Sequence, residues 1–83
     1  MEDYFVYVLK SLRNNKRYIG YTSKDPLIRL KEHNSGASKF TSQNGPFKLT
    51  YTERYEDKSI AIKREKFLKS GQGRKFLDNM SGA

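Results

Sequence analysis

The amino-acid sequence predicts an α+β fold: a small three-stranded, mainly antiparallel sheet flanked by helices, in the order ββαβαα. Residues 4–10 and 17–21 are short runs of aromatic and branched side chains, and turn-formers separate them, which is the pattern of a hairpin. Residues 47–55 alternate apolar with polar side chains, the pattern of a third strand. The stretches after Asp25 and after Asp57 carry their apolar residues at helical spacing instead.

Each element has its own justification. In the first strand Phe5, Tyr7 and Leu9 face one way and Val6 and Val8 the other, so both faces are expected to be buried. Residues 13–16, Arg-Asn-Asn-Lys, form the turn, since asparagine tolerates a positive φ. If the turn is the pair Asn14-Asn15, Tyr7 and Tyr18 share a face; a different loop length would change that parity. Pro26 suits the first helical position behind an Asp25 cap, and Gly36 stands just past the end near Asn34. Leu27 and Leu30 are expected to supply this helix's core contact. Residues 35–46 read as a long polar loop. In the third strand Phe47, Leu49, Tyr51 and Tyr55 lie on one face, opposite Lys48, Thr50, Thr52 and Arg54. The second helix spans about Asp57 to Ser70, with Ile60, Ala61, Phe67 and Leu68 as its stripe. Gly71-Gln72-Gly73 breaks it. A short last helix, about Arg74 to Met80, docks through Phe76, Leu77 and Met80.

Composition narrows the class. The 83 residues fit one domain, with a core spanning about residues 3–80. Apolar residues are only 35%, but 11 of them are Tyr or Phe, each of which can bury roughly 150–250 Å². No apolar run approaches the roughly 18 residues of a membrane span. Zero Cys and one His exclude disulfides, thiolate zinc and multi-histidine metal sites, and the lack of Cys fits the cytoplasm. The net charge of +8 is the footprint of a nucleic-acid binder.

The residues with chemical potential are Tyr7, Tyr18-Ile19-Gly20, the helical pair Arg29 and His33, and Glu65 at the edge of an apolar stripe. An acid there needs a partner. In this set the chain resembles the GIY-YIG nucleases, of the small standalone bacterial single-domain type. The second half of their double motif stands as Tyr18-Ile19-Gly20, and the first as Phe5-Val6-Tyr7, without its leading Gly. Arg29 lies eleven residues after Tyr18, His33 four further on, and Glu65 falls in the late helix.

The resemblance implies a metal-dependent endonuclease that hydrolyses phosphodiester bonds, with DNA as substrate in repair or recombination. It makes Tyr7, Tyr18, Arg29, His33 and Glu65 catalytic, and Glu65 the ligand of one Mg²⁺ or Mn²⁺. The chemistry agrees with the residue types. A carboxylate suits Mg²⁺, arginine forks to phosphate oxygens, and a tyrosine can act as a base if nearby cations depress its pKa. Gly20, Lys63, Arg64 and Lys66 are expected at the substrate, the last three within a basic cluster that also holds Lys69, Arg74 and Lys75. The competing reading is a non-catalytic basic nucleic-acid-binding module that keeps the nuclease fold. It explains the charge but neither the tyrosine pair nor the half-hidden acid.

Overall fold

The computed structural model describes residues 3–36 and 38–81. Its elements are β1 (Tyr4–Ser11), β2 (Arg17–Thr22), α1 (Pro26–Asn34), α2 (Lys39–Asn44), β3 (Phe47–Tyr55), α3 (Lys58–Lys69) and α4 (Gly71–Ser81). The sheet is antiparallel throughout, in the order β2-β1-β3. This is the α+β class and the three-stranded sheet that the sequence predicts, with one helix added.

β1 is central and buried on both faces. Val6 and Val8 pack with Ile19 against Ala61 and Leu68 of α3 and Leu77 of α4. Tyr7 and Leu9 pack on the opposite face with Phe47, and Leu30 of α1 and Phe40 of α2 close over them. Helices therefore cover both sides of the sheet.

The hairpin loop is longer than the pair Asn14-Asn15. The Ser11 N–H donates to the Lys16 carbonyl at 2.8 Å, leaving residues 12–15 in the loop, with Asn15 at φ 62°. Two extra residues keep the count even, so the parity survives. Tyr18 sits opposite Leu9 and Gly20 opposite Tyr7, which places both tyrosines on one face.

Three expectations about packing need correction. β3 does not keep a single apolar face. Val8 pairs with Tyr51 but Leu9 pairs with Leu49, so a bulge at Thr50 turns the strand over. Phe47 and Leu49 then join the Tyr7 cluster, while Tyr51 and Tyr55 join the α3–α4 side. In α1 Leu30 makes its expected core contact, but Leu27 does not: it is 60% exposed, and the buried side chains are Pro26 and His33. The stripes of α3 and α4 are also narrower than predicted, for Ile60 and Met80 are exposed.

Two segments differ in kind. Residues 39–44, read as loop, form α2. Gly71-Gln72-Gly73 is the first turn of α4 and not a break. The chain turns at Ser70, whose N–H donates to the Phe67 carbonyl. Gly73 allows the two helices to meet closely, since a Cβ there would stand 2.1 Å from the Phe67 carbonyl oxygen.

Candidate active site

Tyr7 lies at the centre of the site because β1 lies at the centre of the sheet. Its side chain is 1% exposed and crosses the edge strand β2 above Gly20. A Cβ at Gly20 would stand 2.6 Å from the Tyr7 hydroxyl and 2.8 Å from the ring carbon that bears it. Only glycine leaves that path open. Gly20 is itself buried, so its place is explained by room for Tyr7 and not by the substrate contact the sequence suggested.

α1 brings the next two groups. Its N-terminus is fixed by Asp25, whose side chain accepts from the Leu27 N–H. Its last residue, Asn34, exchanges two hydrogen bonds with the Phe47 backbone and ties the helix to β3. Between these anchors Arg29 and His33 project one turn apart toward the sheet. The Tyr7 hydroxyl lies 3.0 Å from His33 Nε2, and Arg29 Nη2 lies 3.4 Å from the same nitrogen. Arginine has only donors, so Nε2 carries the lone pair and Tyr7 donates to it. The His33 proton then sits on Nδ1, 3.4 Å from Thr41 Oγ1 of α2. Glu32 holds Arg29 at 2.6 Å and is itself held by Lys24 at 3.1 Å.

Tyr18 stacks over this group. Its ring centroid is 4.6 Å from that of His33 and 6.3 Å from that of Tyr7, and Phe40 covers its other side at 5.9 Å. Tyr18 is half-buried and Tyr7 buried. Tyr21, the next aromatic along β2, packs on the opposite face.

The electrostatics follow from burial. Desolvation raises the Tyr7 pKa above the ordinary 10.0; the hydrogen bond and charge of Arg29 oppose this, and the charge of Glu65 adds to it. Among the chain's own groups burial therefore outweighs the cations, contrary to the expected depression. Desolvation and the Arg29 charge also lower the His33 pKa below 6.5, against the opposite pull of Glu32. At neutral pH the pair is a phenol donating to a neutral imidazole.

Glu65 projects from α3 with its side chain only 15% exposed. The Lys69 ammonium stands 3.7 Å away, beyond hydrogen-bond reach. Among the described residues no group of three or more His, Asp or Glu could enclose a metal. Glu65 is thus a single hard oxygen donor near a tyrosine, which fits an ion that keeps most of its waters.

The GIY-YIG catalytic domain model matches residues 3–77. The chain belongs to the GIY-YIG family. UPF0213 proteins of Staphylococcus aureus strains Mu50 and N315 are 40% identical to it over 78 residues, which is 93% of each chain. The solution NMR structure of a UPF0213 protein from Bacillus halodurans superposes with a TM-score of 0.57 at 32% identity, covering 98% of this chain and 87% of that one.

The surface around the GIY-YIG motif is basic, but not everywhere the sequence placed the charge. A groove of about 690 Å³ opens beside Tyr18, Ile19 and Phe40, and Lys10, Lys16, Lys69 and Arg74 contribute to its lining. Lys63 and Lys66 are exposed on α3. Arg64 is not free. It turns to β3, where its Nε and Nη2 donate to Glu53 at 2.8–3.1 Å, and its guanidinium lies over Phe67 and Phe76. It ties α3 and α4 to the sheet, whereas the sequence places it at the substrate.

The structure thus brings Tyr7, Tyr18, Arg29 and His33 together, with the Glu65 charge acting on Tyr7. Sequence reasoning missed Glu32 and Thr41. Glu32 carried a signal, three residues beyond Arg29 on the same helix. Thr41 had a weaker one, the Ser38–Thr41 spacing of a capping box.

Proposed function

We propose that the chain is a metal-dependent endonuclease that hydrolyses phosphodiester bonds of nucleic acid, DNA first among the candidates, and that it works as one domain. The observation that carries this reading is the buried Tyr7–His33 hydrogen bond beside Arg29. Such a pair can move a proton: Tyr7 takes one from the attacking water as its own passes to His33 Nε2. Tyr18, the more open tyrosine, bonds a phosphate oxygen. Arg29, held in place by Glu32, stabilises the charge that develops on the phosphate. Glu65 would hold the divalent ion, Mg²⁺ or Mn²⁺, which polarises the phosphate and aids the leaving oxygen. Neutralising Glu65 removes one of the influences that raise the Tyr7 pKa. Lys63, Lys66 and the cations of the groove meet flanking phosphates. The alternative, a binding module without catalysis, is favoured by one observation, the 1% exposure of Tyr7.

A cleavage panel decides between them. Supercoiled, branched and single-stranded DNA are incubated with the chain, with and without Mg²⁺. Cleavage is expected only with the metal. Glu65→Ala should abolish it while DNA affinity stays equal or rises slightly, because an acid leaves a phosphate-facing surface. Binding without any cleavage by the native chain would establish the alternative. Tyr7→Phe and Tyr18→Phe separate the roles under single-turnover conditions. Loss of the base flattens the alkaline rise of the rate with pH, whereas loss of a phosphate contact lowers the rate and keeps the profile's shape. Full activity in both variants would remove the tyrosines from the mechanism.

A further inference from the structure

Thr41 is a polar side chain buried to 2% exposure, in a helix that sequence periodicity does not reveal. We infer that Thr41 is a positioning residue for cleavage: it fixes the Nδ1-protonated tautomer of His33 and so keeps the Nε2 lone pair on the Tyr7 hydroxyl. This rests on the nuclease reading above and adds α2 to its machinery.

The hydrogen-bond inventory around Thr41 supports the assignment. Its hydroxyl donates to the Ser38 carbonyl at 3.2 Å and accepts from the Ser38 N–H at 3.2 Å, with the Ser38 hydroxyl 2.9 Å away. The capping box returns the Thr41 N–H to Ser38 Oγ at 3.2 Å, so the side chain is held from both ends. Because the Thr41 proton goes to the Ser38 carbonyl, its oxygen can only accept from the ring, and His33 Nδ1 stands 3.4 Å from it. In a neutral imidazole the partner of one nitrogen decides which nitrogen keeps the proton. The opposite tautomer would aim an Nε2–H at the Arg29 guanidinium and force the Tyr7 hydroxyl to accept. Tyr7 would then have nowhere to send its proton. The groups that face His33 are Tyr7 from β1, Tyr18 from β2, and Arg29 and Glu32 from α1; α2 contributes only the uncharged hydroxyl.

The chain has one histidine, so its imidazole nitrogens can be observed without ambiguity by ¹⁵N NMR of the full protein. The native chain should show a protonated Nδ1 and a bare Nε2 at neutral pH. In Thr41→Val that single tautomer should give way to the Nε2-protonated form or a mixture, and Thr41→Ser should restore it. Single-turnover cleavage should fall about 10–100-fold in the valine variant, the usual effect of losing an outer partner that orients a catalytic ring. DNA affinity should not change, and serine should recover the rate. If valine prevents folding, Thr41→Cys makes the same comparison with a weak acceptor in place of the hydroxyl. A valine or cysteine variant that keeps the native tautomer overturns the inference. A native chain that cleaves nothing overturns the nuclease reading instead, and the spectra still decide whether Thr41 sets the tautomer.

Discussion

Gly20 acts through the atom it lacks. Its φ is ordinary, so no backbone demand calls for glycine there. The demand comes from Tyr7, whose hydroxyl occupies the space a Cβ would take, 2.6 Å away. Tyr7 cannot yield freely, because its ring is packed with Leu9 and Phe47. Gly20→Ala is therefore expected to displace the hydroxyl and overpack the cluster, costing roughly 1–3 kcal/mol. For a fold of this size that lowers the thermal midpoint by roughly 4–8 °C per kcal/mol. The loss of activity should be larger, since a misplacement of about 1 Å can cost 10²-fold in rate. Thermal unfolding and single-turnover cleavage measured together check this. A variant with near-native cleavage would show that Tyr7 does not need its present position.

At the scale of elements, α3 divides its charges between two tasks. Arg64 faces β3 and α4, pairs with the largely buried Glu53 and stacks on two phenylalanines. Its removal leaves an acid without its cation, so Arg64→Ala should cost about 2 kcal/mol, somewhat below the roughly 3–5 kcal/mol of a fully buried pair. Lys63→Ala, on the exposed side, should leave stability unchanged and weaken DNA binding. Urea unfolding and DNA titration of the two variants should give opposite outcomes, and a stability loss in the lysine variant would contradict the division. The sequence allowed the helix to be read but not this division, because Arg64 and Lys63 look alike in a run of basic residues. Much else was legible from local chemistry: the Asp25-Pro26 start placed α1, and alternation placed β3. α2 escaped because six mostly polar residues are too few to show a period, and a side-chain cap with the packing of Phe40 holds them. The bulge at Thr50 escaped because an ordinary threonine marks it, and only helices on both faces require the strand to turn over. Motif spacing singled out Tyr7, Tyr18, Arg29, His33 and Glu65, and the fold brings the first four together. Glu32 and Thr41 act through other side chains, which spacing alone does not mark.

Over the whole molecule, charge and proton balance set the response to solution conditions. The longest axis is 34 Å, about ten base pairs of duplex, so only a few phosphates can be met at once. Engagement of about six by the groove and α3 lysines would give a log–log salt slope of roughly −5, and a salt-independent affinity would exclude phosphate binding. Stability should respond to acid in two steps. Burial and the Arg29 charge hold the His33 pKa below 6.5 in the folded chain. The unfolded chain therefore binds this proton more readily, so the contribution is complete above about 6.5 and is lost as pH falls through the folded value. Glu53 follows at lower pH. Burial would raise its pKa, but hydrogen bonds from Arg64, Tyr51 and Tyr55 outweigh that and hold it below 4.5. Its contribution is present above 4.5 and is lost as pH falls through the folded value. In alkali the direction reverses. Burial and the Glu53 hydrogen bond push Tyr55 up to about 12, so its contribution is complete below 10 and disappears toward 12. The thermal midpoint should therefore be flat from about pH 7 to 9 and should decline in acid, first through His33 and then through Glu53. His33→Gln should have a lower midpoint throughout and no first step, because it has no proton to gain. Midpoints measured from pH 3.5 to 8 for the two chains test this, and an undiminished first step in the glutamine variant would assign that limb to another group.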